Sequence, residues 1–366
     1  MKRLFAIAAL FLLAQAAQGE LVRDPYLGVR PAGMGNAFIA LSNDSNALWY
    51  NPAGLAREKG YHFNLIDTSI GVDSTDTLQR MFNAVWNGDY NNFLRTDQQY
   101  SRFNIRPTVT MPYLQFTFFN HFNAYIEMNN MQSLSANVDV YTFNDIGFAG
   151  AVGVPLGPYV SLGATGRAFQ RSGIDTTLTA QDLLNGLGIP TPQALMAALY
   201  QNLSSRSGMG LGIAVDLGAM IRVPLPAGYP RWTLAATATD VGRTEFHQLG
   251  SANKPVGVPT VYNFGTAVEY GFDKNQQQLN FAFDFRHAFD NINVIQKLNL
   301  GIEYRYKFFA IRGGVTHGYL TGGFSLEFPP HTRLHLATYA SEMGSGLWQK
   351  TQRWYLLQLV IGFNPN

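Results

Sequence analysis

The chain ends Arg353-Trp354-Tyr355-Leu356-Leu357-Gln358-Leu359-Val360-Ile361-Gly362-Phe363, followed by Asn364-Pro365-Asn366. Side chains of an extended strand alternate between two faces. Tyr355, Leu357, Leu359, Ile361 and Phe363 therefore share one face. The same two-residue period recurs upstream. Over 261–272, Tyr262, Phe264, Thr266, Val268, Tyr270 and Phe272 oppose Asn263, Gly265, Ala267, Glu269 and Gly271. Leu279, Phe281, Phe283 and Phe285 then oppose Asn280, Ala282, Asp284 and Arg286, and Leu298, Leu300, Ile302, Tyr304 and Tyr306 oppose Asn299, Gly301, Glu303 and Arg305. One face is aromatic or aliphatic throughout, and the other is small or charged.

A soluble sandwich and a membrane barrel both show this alternation. Length and aromatic loading separate them. The periodic segments run about 9–11 residues, the length that crosses a bilayer as a tilted strand. Tyr and Phe fall near their ends, where an interfacial girdle belongs. Aromatics make up 13% of the chain and glycines number 36. The beginning agrees with an exported barrel. Lys2 and Arg3 precede an apolar run over 4–13 and the small-residue stretch Ala16-Ala17-Gln18-Gly19. This reads as a signal peptide, 1–19, cut after Gly19. No later apolar run of about 18 residues offers a transmembrane helix. The chain has no cysteine, so it holds no disulfide, thiol nucleophile or lipid-accepting Cys. The net charge of +2 comes with no basic stripe, which argues against a nucleic-acid partner.

Strands are expected near 61–70, 107–119, 121–131, 137–154, 158–170, 207–222, 231–240, 260–271, 278–288, 296–306, 308–316, 320–328, 331–341 and 353–363, which makes about fourteen. An even number returns both termini to one side, as bacterial single-chain barrels require. The connections at Asn120-His121, 155–158, 224–230, 273–275 and Pro329-Pro330 are short and fall on the terminus side. Those at 71–106, 171–206, 241–259 and 342–352 are long and fall on the other. Two long loops carry apolar residues at helical spacing: Leu78, Phe82 and Val85 in one, Leu195, Met196 and Leu199 in the other. These six are the expected ligand-binding residues, as an apolar vestibule; the plainer reading packs them on each other as a lid.

Residues 20–60 precede the first strand, and 61–366 form the expected barrel. The early segment contains Arg30-Pro31-Ala32-Gly33-Met34-Gly35-Asn36-Ala37-Phe38 and Asn43-Asp44-Ser45-Asn46-Ala47-Leu48-Trp49-Tyr50-Asn51-Pro52-Ala53-Gly54-Leu55-Ala56. Gly33 and Gly35 permit tight turns. Asp44 or Ser45 can cap a short helix reaching Tyr50, and Pro52 ends it because the residue before proline avoids the helical region. A compact element with no partner of its own packs most economically inside a barrel. These two motifs resemble the N-terminal hatch of the FadL-like outer-membrane proteins, and the carried-over hatch residues are Gly33, Gly35, Asn51, Pro52 and Ala53. The C-terminal third, including Arg312-Gly313-Gly314 and Gly318-Tyr319-Leu320-Thr321-Gly322-Gly323, is more similar to the PorV-type branch of that superfamily. The resemblance implies a fourteen-stranded barrel plugged by the N-terminal segment, in the outer membrane of a Gram-negative-type bacterium. It implies either a transporter of hydrophobic small molecules such as long-chain fatty acids or a non-transporting scaffold whose partners are proteins of a secretion or envelope complex. Transporters of the family release ligand sideways through a kink in the third strand. The segment 121–131 has no Gly or Pro to make one, and Met111-Pro112 is the nearest irregularity.

Projected inward, Glu269, Asp284, Arg286, Glu303, Arg305, Arg312, Glu327, Arg333 and His335 form a charged ladder across strands about 4.8 Å apart. Such a ladder most simply fixes the wall and docks a plug; alternatively it lines a polar path. Catalysis finds no motif. His247, His287, His317, His331 and His335 are scattered, and no Gly-x-Ser-x-Gly elbow occurs. Neither a metal-ligand spacing nor a cofactor fingerprint is present, so no cofactor is expected.

Overall fold

The computed structural model describes residues 26–74, 79, 98–129, 137–179, 206–226, 228–250, 253–272, 276–328, 332–342, 348–349 and 351–364. One antiparallel sheet closes on itself. We number its wall strands β1 (His62–Val72), β2 (Gln98–Ile105, resumed at Thr108–Met111), β3 (Leu114–Asn129), β4 (Asn137–Leu156) and β5 (Val160–Thr179). They continue as β6 (Gly208–Arg222), β7 (Arg231–Thr239, resumed at Phe246–Gln248), β8 (Val261–Phe272), β9 (Gln277–Phe285) and β10 (Leu298–Tyr306). The last four are β11 (Phe309–Thr316), β12 (Tyr319–Phe328), β13 (Thr332–Glu342) and β14 (Thr351–Phe363). Each strand pairs with its neighbours in sequence, and β14 pairs with β1 from Phe363 opposite Phe63 to Tyr355 opposite Val72. The result is a closed fourteen-stranded barrel without a free edge.

The alternation read from the sequence decides which solvent each face meets. Ile213, Phe148, Phe281 and Leu357 stand exposed on the outside, and the neighbouring Asn280, Asp284 and Gln358 are buried in the lumen. An exterior of Leu, Ile, Val and Phe is stable only against lipid, so this is a membrane-spanning barrel. No helix is long and apolar enough to cross a membrane; the crossings are strands.

The strand count agrees with the sequence reading, but one hairpin is shifted. Asn120 and His121 do not turn the chain. They lie within β3, where His121 faces Asn104 and Asp145 across the two neighbouring strands. The turn is Pro112-Tyr113, with Tyr113 at φ 68. Polarity misleads here: Asn120-His121 resembles a turn, although His121 is an inward side chain of a long strand. Pro112 is a turn residue and does not weaken the wall. Nor does β4 divide at Asn144-Asp145; its ladder to β3 runs unbroken from Asn129 to Leu114.

Residues 26–60 thread the lumen as α1 (Val29–Gly33), α2 (Ala47–Tyr50) and a 3₁₀ turn (Pro52–Arg57). Asn46, not Asp44 or Ser45, sits at the N-cap of α2; the Asp44 carboxylate instead accepts from the Asn46 backbone N–H at 2.8 Å. The segment meets the wall backbone-to-backbone at two sets of glycines. A Cβ on Gly153, Gly163 or Gly218, of β4 to β6, would collide with the Asn51 to Ala56 stretch. One on Gly301 or Gly314, of β10 and β11, would collide with Met34 or Gly35, and one on Gly33 would come within 3.0 Å of the Gly323 backbone of β12. Gly35 itself has φ +62 and no room for a side chain. The segment thus spans the lumen, fixed on two sides.

Candidate functional site

Polar contacts complete this attachment. Glu303 of β10 is fully buried and holds Arg30 of α1 by two bonds, Nε to Oε2 at 2.9 Å and Nη2 to Oε1 at 2.6 Å. Arg312 of β11 donates to the same carboxylate at 2.5 Å. The remaining Arg30 nitrogen reaches Asp44 at 2.8 Å. Burial pushes the Asp44 carboxyl up, but the Arg30 guanidinium outweighs this and holds it below the usual carboxylate range. Asp284 of β9 accepts from the backbone N–H groups of Phe38 at 2.6 Å and Ile39 at 2.9 Å. Asn51 accepts from Ala53 N–H at 3.1 Å and donates to the carbonyls of Ile39 and Ala219, which ties the 3₁₀ turn to the rest of the segment and to β6. Arg57 pairs with Glu269 at 3.0 Å.

The inward charges therefore separate into two groups. Glu269, Asp284, Glu303 and Arg312 meet the threaded segment or its bound partners, and Arg286 lies over the Tyr50 ring at 5.5 Å. Arg305 and Glu327 pair with each other at 3.2 Å, away from the threaded segment, and are partly exposed. They line a polar cavity of about 290 Å³ together with Glu58, His62, Arg333 and His335. Gly33, Gly35, Pro52 and Ala53 are all buried against the wall, as described above. Leu78, Phe82, Val85, Leu195, Met196 and Leu199 lie outside the described residues, as does the segment 1–19. Among the described residues no group of three or more His, Asp and Glu could hold a metal ion.

A second feature was not anticipated. The wall is irregular on both sides of one seam. In β1, Asn64 pairs with Gly362 and Ile66 with Ile361, leaving Leu65 over as a bulge. In β2, pairing stops at Ile105 and resumes at Thr108. Pro107 cannot donate to a ladder, and the residue before it is constrained as well. The bulge and the break face each other. One backbone bond spans them, Arg106 N–H to the Asp67 carbonyl at 2.8 Å. Side chains close the rest. Arg106 pairs with Asp67 through both carboxylate oxygens, at 3.2 and 3.0 Å. It also donates to the Tyr26 hydroxyl and lies 4.6 Å from that ring's centre. Gln358 of β14 donates to Asp67 at 2.6 Å. Outside the seam an apolar groove of about 670 Å³ is lined by Leu65, Pro107, Val109, Phe116 and Phe148, among others. The sequence carried one signal for this, Arg106-Pro107, a charge and a proline inside a strand. It was hidden because the strand was expected to begin at 107.

No family model matches the sequence, and neither does any curated protein. Solved structures share its architecture. The CymD monoaromatic hydrocarbon channel is 14% identical, with 93% of this chain and 98% of that one covered and a TM-score of 0.51. The Ralstonia pickettii toluene transporter TbuX is 16% identical with the same coverage and score. A mutant of the TodX monoaromatic hydrocarbon channel is 12% identical over 93% of this chain and 99% of its own, again at 0.51. At these identities the likeness is one of fold: a closed barrel of antiparallel strands, here fourteen, with a segment threaded through its lumen.

Proposed function

We propose that this protein takes up hydrophobic small molecules, such as long-chain fatty acids, across the outer membrane of a Gram-negative-type bacterium after removal of residues 1–19. Residues 20–60 serve as the hatch, and Gly33, Gly35, Asn51, Pro52 and Ala53 hold it. Leu78, Phe82, Val85, Leu195, Met196 and Leu199 receive the ligand at the loop end. The single observation that carries this reading is the seam at Leu65 and Arg106-Pro107. A hatch pinned on two sides blocks the axial route, so an apolar permeant needs a way through the wall. The seam interrupts the β1–β2 ladder, opens onto an apolar groove, and is closed by the Asp67–Arg106 pair. The solved structures of the same fold are channels for aromatic hydrocarbons, which suits an apolar cargo.

The test is to heal the seam. Deleting Leu65 removes the bulge without changing the alternation, since Leu65 and Ile66 both face outward and Asn64 and Asp67 both face inward. Pro107→Val restores the missing donor. Cells producing the natural protein should show saturable uptake of labelled long-chain fatty acid or toluene. The healed variant should lose most of it while remaining a heat-modifiable barrel. Uptake that survives healing would reject the lateral route, and absence of saturable uptake in the natural protein would reject transport.

One observation favours a second reading, the PorV-like scaffold of a secretion or envelope complex. The buried Arg30–Glu303–Arg312 cluster makes the lumen rigid and polar beside the threaded segment. Co-purification of a stoichiometric partner from mild detergent, with no uptake, would select it.

A further inference from the structure

The lipid-facing wall carries a cation near its long-loop rim. Gln352, Trp354 and Leu356 of β14 are buried in the lumen, so Arg353 shares the outward face with the exposed Tyr355 and Leu357. Its guanidinium donates to Thr338 Oγ1 at 3.0 Å and to the Leu320 carbonyl at 3.1 Å. Both acceptors are neutral, and among the described residues no carboxylate pairs with Arg353. A guanidinium has more N–H donors than these two bonds use, so the rest are left for an acceptor outside the wall. A charge on the lipid face is costly at mid-span and tolerated near the interface. Arg353 is at the tolerated level, two residues from the start of β14 at Thr351.

An apolar groove of about 690 Å³ begins beside it, at Leu320, and runs across the outside of five strands. Two registered rows of side chains bound it. Thr266, Phe283, Leu300, Val315 and Leu320 pair in succession from β8 to β12. Val268, Phe281, Ile302 and Gly313 do the same from β8 to β11, two residues further from the long loops. Gly313 leaves the second row open, since a Cβ there would meet only the Ile302 side chain, at 3.8 Å. Neighbouring strands are about 4.8 Å apart, so the groove is roughly 19 Å long. Leu320 is the second residue of β12 and Thr266 the sixth of β8. The groove therefore starts at the rim and ends midway along β8.

Lipid covers every outward position of such a wall, and most of it needs no particular place. A cation without a counter-ion, joined through Leu320 to a groove one chain wide, does define a place. We propose that the outside of β8 to β14 holds one phosphate-headed lipid of the leaflet at the long-loop end, with its phosphate on Arg353 and one acyl chain in the groove. The guanidinium fork matches phosphate oxygens two at a time. The bonds to Thr338 and Leu320 hold that fork at the mouth of the groove, where head and chain of one molecule meet their partners together. The site is separate from the lumen and from the uptake reading: it concerns what the wall keeps, not what passes through it.

The test titrates dipalmitoyl phosphatidic acid, dipalmitoylglycerol and inorganic phosphate into the purified full-length protein in non-ionic detergent, read by native mass spectrometry. One phosphatidic acid per barrel should be retained, about tenfold more tightly than the diacylglycerol. Inorganic phosphate at the same concentration should not displace it. Arg353→Gln should weaken phosphatidic acid about tenfold and leave the diacylglycerol unchanged, and Arg353→Lys should recover part of the loss. Gly313→Leu fills the groove from the lipid side, so it should weaken both lipids while the barrel stays heat-modifiable. Equal retention of the two lipids overturns the phosphate contact. Displacement by inorganic phosphate overturns the lipid in favour of a free anion. Retention of many copies that Arg353→Gln does not reduce makes them an ordinary annulus and overturns the site. A dimer that Gly313→Leu dissociates, with no lipid retained, gives the groove to a second copy and overturns it as well. Should Arg353→Gln fail to fold, Gly313→Leu still decides: undiminished retention of phosphatidic acid by that variant overturns the proposal, and weakened retention of both lipids by an intact barrel upholds it.

Discussion

At the scale of single residues, the inward charges owe their positions to the threaded segment more than to one another. Period-two alternation shows that Glu303, Asp284 and Glu269 face inward. It cannot show that Glu303 meets Arg30, 273 positions earlier, or that Asp284 serves two backbone N–H groups. Those contacts depend on the path of residues 26–60 through the lumen, which no local pattern encodes. Their energies should differ accordingly. Glu303→Gln leaves Arg30 and Arg312 facing each other in a buried site without the carboxylate that joins them. A loss of about 3–5 kcal/mol is expected, as for removing one member of a buried ion cluster. Glu327→Gln breaks a pair with Arg305 whose side chains are 28% and 32% exposed. Water and salt already screen that pair, so its loss should be about 1 kcal/mol or less. Urea titration of the protein folded into lipid vesicles measures both. Equal losses would show that the charges act as one ladder along the wall.

At the scale of elements, strand number and face were legible because lipid outside and a polar or packed lumen inside impose a strict alternation. Registers were less legible. The β2–β3 hairpin was misplaced because a polar pair inside a long strand looks like a turn, whereas Pro112-Tyr113 sits between apolar residues. The glycines were legible only as barrel composition. Their use lies in which backbone they admit, and β5 separates the two cases within three positions. Gly163 faces the lumen, where a Cβ would strike the Pro52 and Ala53 backbone. Gly166 faces outward, with nothing within 4 Å of the same atom. Gly163→Ala should therefore cost about 1–3 kcal/mol, the range for overpacking a filled site. Gly166→Ala should cost nothing measurable and loses some chain entropy in the unfolded state. Parallel melting curves of the two variants decide this. A neutral Gly163→Ala would mean that the threaded segment shifts freely against β5.

At the scale of the molecule, the two glycine contacts, at β4–β6 and β10–β12, hold the threaded segment from both sides of the lumen. Glu303, Asp284 and Asn51 add bonds at intermediate points. A segment fixed in this way is a brace, and an apolar permeant would have to break every one of these bonds to displace it. The wall and the brace should nevertheless separate energetically. The closed ladder satisfies its own backbone bonds, so the barrel does not need the segment to exist in lipid. Removing residues 26–50 would leave Glu303, Arg312 and Asp284 without their inner partners. The vacated lumen would fill with water, however, and solvate those charges in place of Arg30 and the Phe38 and Ile39 amides. The deletion variant is therefore expected to insert as a heat-modifiable barrel, less stable than the natural protein, and to conduct ions in a planar bilayer. The intact protein should remain closed to ions before and after addition of decanoate or toluene, because the lateral route proposed above would not open the axis. Ion current evoked by cargo in the intact protein would mean that the brace moves. Conductance unchanged by the deletion would mean that something other than residues 26–50 closes the lumen.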